Sequence, residues 1–248
     1  MVAFLSRERI FYFKFSLLFY FCWFVCFAAV GTYANTLPTR DITSSLDNLV
    51  PFIPLFIWPY ELCYVFPFIP LLVLSDWHRF NRAILAVVIA NLTAYIVYFL
   101  FPISFPRPVL GNSVSEAVIA FEHSFDFYPG ANKLPSLHVA FAWIVYLVCR
   151  GQLKKNWQGD LLLVTASLIT ISTVFVKQHI LVDSAAGMVW AFGAWGLATL
   201  VYPLVTEPAA EPGAALLRMM RKILPFVVIF MAVLFLAVDL HWKRIIPW

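Results

Sequence analysis

Seven apolar runs separated by short polar segments dominate this chain, at roughly 15–34, 51–74, 83–102, 134–149, 161–176, 180–201 and 223–240. A helix needs about 20 apolar residues to cross a bilayer, with a range of about 17 to 25. Inside lipid every backbone N–H and C=O must be paired within the protein, so such runs fold as helices. The chain therefore reads as an all-α, polytopic membrane helical bundle of about six to seven transmembrane helices. Composition supports this. Hydrophobic residues make up 62% and charged residues 12%, against about 25% charged in soluble domains. The mean hydropathy is +0.86. A soluble domain is excluded, and the net charge of +4 reads as a topology signal, not as a nucleic-acid surface.

The first run follows Arg7, Arg9 and Lys14, as a signal peptide would, but it is long and is expected to be a retained span. The second carries Pro51, Pro54, Pro59, Pro67 and Pro70 with Glu61, which predicts a kinked or partly re-entrant segment. Without an internal repeat or a linker, residues 1–248 are expected to form a single integral membrane domain. Cys22, Cys26, Cys63 and Cys149 lie inside apolar runs and are read as small apolar residues. No spacing suggests a metal site, and no cofactor is expected.

Loop charge sets the orientation. With seven spans, the N-terminus and the segments near 75–82, 150–160 and 202–222 share one side. That side holds eleven of the 17 basic residues and is expected to be cytoplasmic. Loop 35–50, loop 103–133 and the 177–180 junction then face outward, which suits a bacterial inner (plasma) membrane.

Three polar groupings meet on that outward side. His179 and Asp183 are four residues apart and share a helix face. A carboxylate there can fix the imidazole tautomer and make the other ring nitrogen a better nucleophile. Ionisable groups cost about 2.5–3.5 kcal/mol at the centre of a span, so they mark either function or a structural pair joining helices. In Pro135-Ser136-Leu137-His138 the proline suits a first helical turn, which presents Ser136 and His138 at a helix N-terminus that favours an anion. Phe105-Pro106-Arg107-Pro108 holds Arg107 in an extended segment, where its planar fork matches phosphate oxygens. Lys177 adds a point charge. Each has a plainer reading alone: a snorkelling histidine, a lipid-facing arginine. Together they make a site for a phosphate ester, in which one histidine attacks phosphorus and the other protonates the leaving oxygen. The cations offset charge on the equatorial oxygens, so no metal is needed.

These residues resemble the type-2 phosphatidic-acid phosphatase superfamily, whose Arg-Pro, Pro-Ser-x-His and His-x-x-x-Asp motifs occur in that order. The resemblance spans about 107–187, and a motif-bearing catalytic core is placed at 103–187. It implies that His179 is a nucleophile forming a phosphohistidine and that Asp183 orients it. It further implies that His138 is the general acid and then base, and that Arg107 and Ser136 bind phosphate. Three positions depart from the pattern. Leu100 stands where many members have a lysine seven residues before the arginine, and Leu137 where glycine is common. Ser172 and Thr173 stand where the third motif often opens Ser-Arg. Lys177 is expected to replace one missing cation. The departures look like the branch of inositol phosphorylceramide and sphingomyelin synthases. The expectation is a membrane lipid phosphate or diphosphate phosphatase, or a head-group phosphotransferase, with a lipid phosphate and the bilayer as partners. The rival class is a transporter or lipid-binding membrane protein. That reading predicts ionisable groups near the midplane and broken helices in matched halves, neither of which the sequence offers.

Among lesser features, loop 103–133 carries Glu116, Glu122, His123, Asp126 and Lys133 and is long enough for a lid. Asn91-Leu92-Thr93 fits the glycosylation pattern but falls inside a run. Gly187, Gly193 and Gly196 suggest close helix packing. Trp242-Lys243-Arg244 and Trp248 read as an interfacial anchor.

Overall fold

The computed structural model describes residues 6–125, 130–207 and 210–242. The C-terminal anchor expected from Lys243, Arg244 and Trp248, and the loop residue Asp126, lie outside them. The described chain is helical: α1 (Arg7–Ala34), α2 (Ser45–Leu49), α3 (Ile57–Val65), α4 (Ile69–Val73), α5 (Trp77–Leu100), α6 (Val114–Phe125), α7 (Leu137–Cys149), α8 (Asn156–Phe175), α9 (Leu181–Val205) and α10 (Pro212–Trp242). Six helical stretches are long and apolar enough to span a bilayer: α1, the composite Pro54–Val73, α5, α8, α9 and α10. The shorter α7 is apolar as well. The expected polytopic helical bundle is the architecture found.

The proline-rich second run is one span in four pieces. Two 3-10 turns, Pro54–Phe56 and Phe66–Phe68, alternate with α3 and α4. Each proline removes an N–H and crowds the preceding turn, so the axis breaks where prolines recur. Several spans start earlier than hydropathy alone predicts. α5 begins at Trp77 because Asp76 caps it, accepting from the Arg79 N–H. α10 takes in Arg218, Arg221 and Lys222, whose stems can follow the helix while their heads reach water.

Helix α9 packs against α5 and α7, α7 against α8, and α10 against α5, while α1 leans on α4, α5 and α10 at the periphery. The central contacts use small side chains. Ala86, Ala90 and Ala94 on α5 and Ala191, Ala194 and Ala198 on α9 are buried at three- or four-residue spacing. Apolar driving force is weak in lipid, so close backbone approach and interhelical hydrogen bonds do the holding. Asn91 accepts from Trp23 Nε1 and Thr93 accepts from Trp190 Nε1, each at 2.8 Å, which ties α1 and α9 to α5. The Asn-Leu-Thr triplet is thus interhelical glue.

The two ends of the bundle are closed differently. At one end arginines collect helix C-terminal carbonyls. Arg79 reaches Leu147 and Val148, and Arg9 reaches Leu71 and Leu72. At the other end three extended segments lie side by side through the parallel bridges Arg40–Ile103 and Ile103–Asn132. This second end carries all three sequence motifs.

Candidate functional site

The junction between α8 and α9 sets the position of His179. The Thr173 carbonyl accepts the N–H groups of both Gln178 and His179 at 3.0 Å, and its hydroxyl lies 2.9 Å from Ser184 Oγ. Lys177 turns the chain with φ +57. Ser172 and Thr173 are fully buried. Where the family pattern often has Ser-Arg, the Thr173 carbonyl thus holds the histidine loop and its hydroxyl ties α8 to α9, while the Ser172 hydroxyl donates to the Ile169 carbonyl within α8.

Helix α7 is pressed onto the start of α9. The Ser136 N–H donates to the Asp183 carbonyl at 3.0 Å, and Tyr98 Oη donates to the Pro135 carbonyl at 2.8 Å. Gly187 permits the approach, since a Cβ there would sit 2.4 Å from the Ser136 carbonyl oxygen. Close packing holds at Gly187, while added Cβ atoms at Gly193 and Gly196 would meet nothing within 4 Å.

These constraints produce a line of three side chains. Asp183 Oδ2 is 3.4 Å from His179 Nδ1 and accepts from the Ile180 N–H at 3.3 Å. His179 Nε2 is 3.3 Å from His138 Nδ1. His179 and Asp183 are buried, at 4% and 0% exposure. With Asp183 accepting from Nδ1–H, the lone pair of His179 is on Nε2, the nitrogen facing His138. Ser136 caps α7, its oxygen accepting from the Val139 N–H. That bond does not consume the hydroxyl hydrogen.

The cations are distributed otherwise than the sequence suggested. Lys177 is not brought to the histidines: its ammonium donates to the carbonyls of Val50 (2.6 Å) and Asp47 (3.0 Å). The cation that lines the same small cavity as His138 and His179 is Lys133. It is 5% exposed, donates to Gln178 Oε1 at 3.3 Å, and its ammonium is 5.9 Å from the centre of the Phe105 ring. Arg107 joins it at Gly130, whose φ is +77. A Cβ there would be 3.0 Å from Arg107 Nη2 and 3.3 Å from Lys133 Nζ. Arg107 Nη1 also donates to the His123 carbonyl at 3.0 Å. The two cations thus gather positive charge at one glycine beside the histidines.

Three further residues, absent from the motifs, gather on the far side of His138. Tyr60 Oη is 3.2 Å from His138 Nε2. Tyr64, one turn on, donates to the buried Glu122 of α6. A cavity of about 320 Å³ opens there, lined by His138, Glu61, Tyr64, Glu122 and aromatic side chains. Helix α6 arises in the loop that carries the expected lid. Its signal is in the sequence as Ser113-x-x-Glu116, a capping box in which Glu116 also accepts from the Ser113 N–H.

The family model described as the PAP2 superfamily matches residues 41–197. No curated protein and no solved structure matches the chain.

Proposed function

The chain belongs to the PAP2 superfamily, a group of phosphatases and phosphotransferases, and on that premise we propose that it transfers the phosphoryl group of a lipid phosphate or diphosphate through a phosphohistidine, without a metal. The observation that carries the reading is the Asp183–His179–His138 line, with Lys133 and Arg107 beside it. A phosphoryl group entering between the two rings replaces the contact they make with each other. His179 Nε2 attacks phosphorus. The N–P bond forms as the P–O bond breaks, and His138 Nδ1–H gives its proton to the leaving oxygen. His138 then takes a proton from the incoming acceptor, whose oxygen attacks phosphorus and releases His179. Water as acceptor gives a phosphatase, and a lipid hydroxyl gives a transferase, the reading closest to the inositol phosphorylceramide synthase type.

Arg107, Lys133 and the Ser136 hydroxyl share the phosphate oxygens in this scheme, and Lys177 holds the loop. An apolar cavity lined by Phe19, Trp23, Pro67 and Phe141 shares Trp23, Pro67 and Phe141 with the histidine cavity. It offers the lipid tails a place beside the head-group site. The charge of the loops supports an extracytoplasmic position for this end of the bundle and a cytoplasmic N-terminus.

The test is phosphate release by purified protein in detergent from undecaprenyl diphosphate, phosphatidic acid and phosphatidylglycerophosphate, with and without lipid alcohols. We expect turnover that His179→Ala reduces to below a few per cent, with folding retained. A new lipid product that appears only with an alcohol identifies the transferase. Full turnover in His179→Ala sinks the phosphohistidine.

A further inference from the structure

His138 has one nitrogen on the reaction side and one on Tyr60, and the second contact begins a longer chain. Tyr60 is 3.2 Å from His138 Nε2, and Tyr64, one turn on, packs edge to face against Tyr60 with the ring centres 6.2 Å apart. Tyr64 donates to the Glu122 carboxylate. The direction of each bond follows from its end. Tyr64 donates to Glu122, which leaves the Tyr64 oxygen as the acceptor turned toward Tyr60. With Tyr60 giving its hydrogen to Tyr64, it accepts from His138 Nε2–H. The array therefore favours an imidazole protonated on Nε2, and it leads to a negative charge.

We propose that Tyr60, Tyr64 and Glu122 are positioning residues for the general acid, forming a carboxylate-terminated relay that holds His138 in its protonated form. The relay mirrors the Asp183–His179 pair. One carboxylate fixes the nucleophile with its lone pair toward the phosphate, and the other, acting through two tyrosines, fixes the acid with its proton toward the leaving oxygen. The inference rests on the catalytic roles proposed above, and it adds that α6 must be docked for His138 to act.

The other groups facing His138 do not supply this function. His179 and Lys133 share its cavity and oppose a positive charge on it. Glu61 lies in the larger cavity on the Tyr64 side, and its Oε1 is buried without a hydrogen-bond partner. Tyr20 lines both cavities, while Tyr98 is spent on the Pro135 carbonyl. Glu122 is the carboxylate that the two tyrosines set between themselves and α6, in line with the ring.

The direct test is the titration of ¹³C-labelled histidine by NMR in the full-length protein in detergent micelles, with His138→Gln to assign the signal. Tyr64→Phe breaks the chain by one oxygen, and Glu122→Gln removes its charge. Both should lower the His138 midpoint by about half a pH unit or more. His78, at the opposite end and 2.7 Å from Tyr202 Oη, serves as the fold reference and should not move. A midpoint that stays in place in either variant while His78 holds overturns the relay. This reading needs no substrate, so absent turnover would sink the proposed reaction and leave the relay to be judged by titration. If turnover is present, both variants should lose more rate on octyl phosphate, whose alkoxide needs a proton, than on p-nitrophenyl phosphate. Equal losses on both esters would mean that the tyrosines support only the fold, and would overturn the proposal.

Discussion

At the residue scale the lysine beside the histidines is Lys133, not Lys177. Lys177 stands two positions before the expected nucleophile, yet the left-handed turn at Lys177 points its ammonium away, onto the Val50 and Asp47 carbonyls. Burial lowers the Lys177 ammonium's pKa, and the Asp47 charge opposes that. Lys133 takes the place at the histidines from the other side, five residues before His138. Lys133→Gln should raise KM for a phosphate ester about tenfold, the size of one charge-assisted hydrogen bond, whereas Lys177→Gln should leave KM within twofold. Steady-state kinetics on the two variants separates the cases, and the reverse pattern would return the phosphate to Lys177. The three motifs were legible because their residue types are costly in an apolar chain. Lys133 was not, because a lysine in a polar loop costs nothing until the fold buries it. Tyr60 and Tyr64 were hidden among aromatics, and only Glu61 between them marked that stretch as unusual.

At the scale of elements, the spans were legible from hydropathy and the breaks in the second one from its prolines. Short helices were less so, since five apolar-poor residues make no periodicity. Helix α2 is signalled only by its capping box, Ser44 with Asp47. That five-residue helix is nonetheless what braces the His179 loop: Asp47 Oδ1 accepts from the Leu181 N–H at 2.7 Å, at the first turn of α9. Burial raises the Asp47 carboxyl. Hydrogen bonds from Ser44 and Leu181 and the nearby Lys177 charge outweigh that, and the group titrates below its ordinary value. A carboxyl lowered in the folded state adds stability above its unfolded value of 3.8 and loses it as pH falls through the folded one. Asp47→Asn should therefore lower the melting temperature in detergent by on the order of 2–4 °C at pH 7, about 1 kcal/mol for a chain of this size. The gap from wild type should close as pH drops below 3.8. A gap that persists at low pH would assign the effect to packing, not to charge.

At the scale of the whole molecule, the bundle has two unlike ends, and the difference bears on which side of the membrane does the chemistry. The end closed by Arg9 and Arg79 on helix carbonyls also carries Arg82 and Arg150, and so it holds the basic surface. The motif end turns both of its lysines inward, Lys133 buried and Lys177 on backbone carbonyls. Positive charge left on the surface resists translocation, whereas charge folded into a site is less available to the bilayer's headgroups. The two distributions favour the orientation proposed above, with the site outside. Val109, 95% exposed beside Arg107, and Gly151, in the turn after α7 with open space around it, report the two ends. Single cysteines at these positions, in a chain whose own four cysteines are replaced by serine, can be offered a membrane-impermeant maleimide on intact cells. Val109→Cys should label at once and Gly151→Cys only after permeabilisation. The opposite order would turn the molecule over, placing the phosphate chemistry on the cytoplasmic leaflet and the substrate among lipids made on that side.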